Sequence, residues 1–167
     1  VTLALVLGGA TTVWDDVEAA LALTEADGIV ACNDIAADWP GPIDAAATLH
    51  PDLWPGWAER RASKGYPPAP QVFTHGWAFP GQDRSGSSGL FALKVALVDL
   101  GYDRAVLCGV PMDEQARHIT EPWPWRSAEI LRAGWRQALP AIGDRARSMS
   151  GWTADLLGRP TPDWLAS

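Results

Sequence analysis

The chain has 167 residues, 47% of them hydrophobic and 20% charged, with a formal net charge of -7. That length encloses one real core, and no apolar run approaches the roughly 18 residues that a membrane-spanning helix needs. The acidic balance repels polyphosphate backbones and no basic run with interleaved aromatics marks a groove for them, so neither nucleic-acid binding nor a membrane span is expected.

The first residues, VTLALVLGG, carry no basic flank and end in two glycines rather than a cleavage site, so Thr2 to Leu7 reads as a strand rather than a signal sequence. Gly8-Gly9-Ala10-Thr11-Thr12 is a tight turn into a helix over residues 13–26, where Val13, Val17, Ala20 and Leu21 recur at helical spacing. Ile29 to Cys32 is a second apolar run, stopping at Asn33-Asp34. A weaker strand from Asp44 to Leu49 ends at His50, and a helix follows over 51–64 with Pro51 at its start. Prolines 67, 68 and 70 break the chain before a short strand over 71–74 that ends at His75.

Residues 76–86 are rich in glycine and proline and read as a loop. A helix over 88–100 follows, with Ser87 or Ser88 as N-cap and Gly101 as C-cap. Arg104 to Cys108 is a central strand leading into a loop from Gly109 to Asp113, and a long helix is expected over 125–139. A strand over 145–149 and a helix over 151–157 complete the pattern. Strands that are continuously apolar, alternating with helices, predict one α/β domain over 1–167: a three-layer, Rossmann-like, mostly parallel sheet of about six strands with helices on both faces.

In such a sheet, ligands bind beyond the carboxyl ends of the strands. The residues there are Gly8, Gly9 and Thr11; Asn33 and Asp34; His50; His75; Gly109, Asp113 and the later His118; and Ser148 and Ser150. The glycine turn can bring N–H groups near a phosphate, although it matches neither G-x-G-x-x-G nor a P-loop. Arg84-Ser85-Gly86-Ser87-Ser88-Gly89 offers hydroxyls and a cation at a helix start, either for an anion or simply as a cap. His50, His75 and His118 can serve as general acids or bases, and Asp113 can bind a metal or a hydroxyl or cap a turn.

No compact ligand spacing points to a metal site, although a Mg²⁺ ion accompanying a phosphate ester is compatible with these residues. The two cysteines, Cys32 and Cys108, lie in apolar runs and fit a reducing cytoplasm. The ten tryptophans are the unusual feature. Trp39, Trp54, Trp57, Trp77, Trp123 and Trp125 fall in connections, where indoles cover a core more often than they line a pocket.

The stretch from Ser87 through Gly89 to Leu97, continuing as Leu100-Gly101-Tyr102-Asp103-Arg104-Ala105-Val106-Leu107-Cys108-Gly109-Val110, resembles a block shared by bacterial sialyltransferases of the Campylobacter type and by motility-accessory and 6-hydroxymethylpterin pyrophosphokinase-like proteins. The resemblance extends to Leu5 to Ala10, to Cys32-Asn33 and to Ser148-Met149-Ser150-Gly151. It departs from the pattern where Pro111 replaces the usual aspartate and where the first turn lacks Pro-Ser.

The resemblance implies a nucleotide-binding transferase acting on a nucleotide sugar or similar phosphate ester. Gly8, Gly9, Asn33, Ser87, Ser88, Ser148 and Ser150 would contact the nucleotide, and His118 would deprotonate an acceptor hydroxyl. The chain is also similar to small uncharacterised phage and prophage proteins, whose setting is a host cytoplasm. Two alternatives stay open: a non-catalytic nucleotide- or partner-binding module, and a phage structural or assembly protein that forms a homo-oligomer through exposed tryptophans.

Overall fold

The computed structural model describes residues 1–167, the side chain of Pro122 excepted. Its elements in chain order are β1 (Leu3–Leu7), α1 (Val13–Leu21), β2 (Gly28–Cys32), α2 (Ile35–Asp38), β3 (Ala45–Ala47), α3 (Trp54–Ser63), β4 (Val72–Phe73) and α4 (Ser87–Lys94). A π-helical turn (Val95–Asp99) continues α4, followed by β5 (Arg104–Cys108), β6 (Arg117–His118), β7 (Glu121–Pro124), α5 (Ala128–Ile142), β8 (Ala146–Ser148), α6 (Gly151–Leu157) and α7 (Pro162–Ala166).

Six strands form one parallel sheet in the order β4-β3-β2-β1-β5-β8, and helices cover both faces in a three-layer Rossmann-like α/β arrangement. Every residue of β1 is buried, as a strand covered on both sides requires. Its side chains alternate between two cores. Ala4 and Val6 join Leu90, Phe91 and Leu93 of α4 and Trp135 of α5, whereas Leu3, Leu5 and Leu7 join Val13 and Val17 of α1, Ile35 of α2 and Trp164 of α7. The chain turns to β2 on one side of β1 and reaches β5 on the other, so the loops leaving β1 and β5 open a crevice at the point where the strand order reverses.

Several boundaries differ from the sequence reading. The first helix stops at Leu21 rather than at residue 26, and α3 begins at Trp54 with Pro55, not Pro51, in its first turn. Gly86, not Ser87 or Ser88, occupies the N-cap of α4, and no side chain caps it. The helix after the hairpin runs over 128–142 instead of 125–139.

The β6–β7 hairpin is an element the sequence reading did not anticipate. It lies against the first turn: Ala10 bridges His118, the Thr11 N–H donates to the Arg117 carbonyl (2.8 Å), and the Ile119 N–H donates to the Gly9 carbonyl (2.8 Å). Among the described residues, no helix is long and apolar enough to cross a membrane.

Candidate functional site

A cavity of about 760 Å³ opens at the carboxyl edge of the sheet. Its floor is the loops after β1, β2 and β5, one wall is the start of α4, and the other is the β6–β7 hairpin with the residues leading into α5. Gly8, Gly9, Asn33, Asp34, His50, Ser87, Ser88, Gly109 and His118 all line it. So do Trp57, Trp123 and Trp125, while Trp39, Trp54 and Trp77 pack against the two cores.

Backbone strain is concentrated here. Among the described residues, the non-glycine residues with left-handed backbone are Asn33 (φ 54°), Ser87 (φ 81°) and Met112 (φ 54°), and each lines this cavity. They come from three separate places, after β2, at the first residue of α4 and after β5. Such conformations cost free energy of order 1–3 kcal/mol each and persist where the surroundings over-determine them, commonly at binding sites. Asn33 is held further by its Oδ1, which accepts from the Thr48 hydroxyl (2.8 Å). Ser87 Oγ accepts from the Gly89 N–H (3.3 Å), and Ser88 Oγ accepts from the Leu49 N–H (3.3 Å), tying the start of α4 to the end of β3.

The glycine turn plays a different part from the one expected of it. The N–H groups of Gly8, Ala10 and Thr11 donate to the carbonyls of Cys108, Gly109 and Arg117, so these three are not available to cradle a phosphate. The glycines serve close packing instead: a β-carbon on Gly8 would overlap the Gly109 carbonyl, and one on Gly9 would overlap the His118 ring. At the start of α4, by contrast, Ser85, Ser87 and Ser88 line the cavity.

His118 is half-buried and engaged at both ring nitrogens. Nε2 lies 3.2 Å from Asp34 Oδ1, and Nδ1 lies 2.8 Å from Thr120 Oγ1. The Thr120 hydroxyl in turn donates to Asp34 Oδ2 (2.9 Å). The Nε2–Oδ1 contact has ion-pair distance but poor hydrogen-bond alignment, since Oδ1 is buried without a well-directed donor. The Asp34 carboxylate beside the ring raises the His118 pKa against the opposing effect of burial. Burial pushes Asp34 up, but His118, the Thr120 hydroxyl and Arg60 together hold it below the ordinary carboxylate value. A ring nitrogen occupied by a protein partner is poorly placed to take a proton from an acceptor hydroxyl, the role expected of His118. The His50 ring, by contrast, borders the cavity and makes no hydrogen bond among the described residues.

The remaining candidates lie elsewhere. Thr11, Asp113 and Ser150 line a smaller adjoining groove of about 370 Å³. There Ser150 Oγ donates to Asp16 (2.6 Å), and Asp113 Oδ1 accepts from the Trp152 N–H (3.1 Å). Ser148 is buried, with its hydroxyl paired to that of Thr153 (2.8 Å), and does not reach the cavity. His75 is exposed beyond the edge strand β4 and borders neither space.

Asp16 was not anticipated. It is a buried carboxylate whose Oδ2 also accepts from the Gly109 N–H (2.8 Å) and so joins the loops after β1, β5 and β8. The sequence signal was an aspartate on the apolar face of α1, one residue before Val17. Cys32 lies at the cavity floor, where burial pushes its thiol up to about 12, and burial likewise raises Cys108. Neither thiol is a nucleophile at neutral pH. No cluster of metal-ligating side chains occurs among the described residues.

Compared with protein-family models, with curated proteins and with solved structures, the chain shows no significant match.

Proposed function

We propose that the protein is a nucleotide-binding transferase, acting on a nucleotide sugar or related phosphate ester held in the large cavity. The observation that carries this reading is the convergence of Asn33, Ser87 and Met112, three strained residues from three separate places, on one cavity at the strand-order reversal. The lining suits such a ligand. Indoles of Trp57, Trp123 and Trp125 offer faces for a planar base, and Ser85, Ser87, Ser88 and Asn33 offer hydrogen bonds to phosphate and ribose oxygens.

In this reading His50 is the proton-transfer residue, because its ring makes no hydrogen bond among the described residues, and Asp34 with His118 shapes the cavity wall. The two unpaired, buried cysteines accord with a reducing cytoplasm, including that of a phage-infected host. The test is turnover of nucleotide sugars by the wild type and by His50→Ala, followed as release of the free nucleotide. Loss of turnover with nucleotide affinity retained supports the assignment, and no turnover by the wild type with any donor removes the transferase part.

A second reading, a nucleotide-binding module without chemistry, is favoured by one observation. Apart from His50, the histidine and thiol facing the cavity are either engaged at both ring nitrogens or held protonated. Nucleotide binding without turnover is its signature.

A further inference from the structure

Two hydrogen bonds and one ion-pair contact close a ring around His118, and the directions of the bonds can be assigned. Thr120 has one hydroxyl proton, and two short contacts compete for it: Asp34 Oδ2 at 2.9 Å and His118 Nδ1 at 2.8 Å. The carboxylate is the stronger acceptor, so the proton goes to Asp34 and Nδ1 must itself donate to Thr120 Oγ1. Nε2 faces Asp34 Oδ1 at 3.2 Å, an ion-pair distance without hydrogen-bond alignment. A ring that donates from Nδ1 while Nε2 lies against a carboxylate oxygen is an imidazolium, since a bare Nε2 lone pair there would be repelled. With neutral His118 these contacts cannot all be favourable; the Thr120 N–H, 3.3 Å from Nδ1, would then be the local donor.

This ring joins two elements that are far apart in sequence. Asp34 follows β2, whereas His118 and Thr120 belong to the hairpin that walls the cavity. The hairpin is also tied by the backbone bonds of Thr11 and Ile119 on the two sides of β6, by the Ala10–His118 bridge and by the packing of Ile119 against the core. The charged groups facing the ring from the surrounding elements are Arg60 of α3 and Glu121 of β7, with Arg117 adjacent on β6; Arg60 opposes the positive charge on His118 and Glu121 favours it. Arg60 is itself bonded to the Asp34 carbonyl (3.1 Å) and the Asp38 carboxylate (2.9 Å), which leaves Asp34 as the principal anion for His118.

We infer that the β6–β7 hairpin is a proton-gated wall of the cavity, fastened to the end of β2 while His118 is an imidazolium and loosened when the ring loses its proton. Loosening follows because the neutral ring gives up the ion pair and one link of the Asp34–Thr120–His118 cycle. The inference is independent of what the cavity binds.

Amide hydrogen exchange by NMR tests it on the full chain, from pH 5 to 9, with rates divided by their intrinsic values. Protection of Thr11 and Ile119 is expected to fall about tenfold as His118 titrates, the scale of losing one charge-assisted bond. Ala105, in the central strand, serves as the reference and stays level. In His118→Gln the protection at Thr11 and Ile119 is low and independent of pH. Equal pH dependence in wild type and His118→Gln, or flat protection in the wild type, overturns the inference. Thr120→Val is the second variant: a lower midpoint of the His118 ring titration supports the closed cycle, and an unchanged midpoint contradicts it.

Discussion

Gly9 and His118 share a space that admits no β-carbon: one built on Gly9 would overlap the imidazole. The hairpin therefore seats on the first turn only because residue 9 has no side chain. Its carbonyl also accepts from the Ile119 N–H, so backbone pairing and ring packing act at the same point. Gly9→Ala is expected to push the hairpin outward and destabilise the fold by about 1–3 kcal/mol, the usual range for overpacking. In Gly9→Ala/His118→Ala the clash is gone, and a double-mutant cycle measured by chemical denaturation should show positive coupling; simple additivity argues against the contact.

Arg61 is almost wholly buried, and the partners of its guanidinium are backbone carbonyls, not a carboxylate. Its Nη atoms donate to Ala36 (2.7 Å), Trp39 (2.8 Å) and Gly41 (2.7 Å), and Nε donates to Pro67. These carbonyls belong to α2, to the connection from α2 to β3 and to the connection after α3, which the guanidinium fork gathers together. Lysine has one donor atom and cannot reproduce the fork, so Arg61→Lys leaves buried carbonyls unpaired and should cost at least about 2 kcal/mol. A denaturation midpoint equal to that of the wild type would show that these carbonyls find other partners.

The Asp34–His118 pair makes stability depend on pH from both sides. His118 has a raised folded pKa, so its contribution is complete below its unfolded value of 6.5 and is lost as pH rises through the folded value. Asp34 has a lowered folded pKa, so its contribution is complete above its unfolded value of 3.8 and is lost as pH falls through the folded value. The stability difference between wild type and Asp34→Asn should therefore be larger at pH 5.5 than at pH 9, a comparison that urea denaturation makes directly.

How much of this could be read from the sequence depends on how each element is stabilised. β1 and β5 are continuous apolar runs buried on both faces, and periodicity alone places them at or within one residue of their bounds. The hairpin was invisible because Arg117 to Pro124 is polar and holds two prolines, and its pairing depends on contact with the first turn rather than on local pattern. The π-helical turn kept the apolar spacing of an α-helix, so Val95–Asp99 looked like more of α4. Asn33, Ser87 and His50 were legible because strand ends and helix starts are where loops converge. The partners of His118 were not, since Asp34 and Thr120 lie 86 residues apart.

Both cysteines should resist alkylation in the native protein. Burial holds the Cys32 thiol at about 12 and raises Cys108 too, so little thiolate forms at pH 8. Iodoacetamide labelling followed by mass spectrometry should find both unmodified in buffer and both modified in denaturant. Rapid native labelling of Cys32 would mean that the cavity floor is open to reagent.

The nucleotide reading rests on the cavity lined by Asn33, Ser87 and Met112, and a thermal-shift screen against nucleoside mono- and diphosphates and nucleotide sugars, with and without Mg²⁺, tests it most directly. A ligand at a hundred times its Kd should raise the midpoint by roughly 5–10 °C, with the rise greatly reduced in Asn33→Ala. No shift at millimolar concentration with any member of the panel, or a shift unaltered in Asn33→Ala, would contradict the assignment of this cavity to a nucleotide.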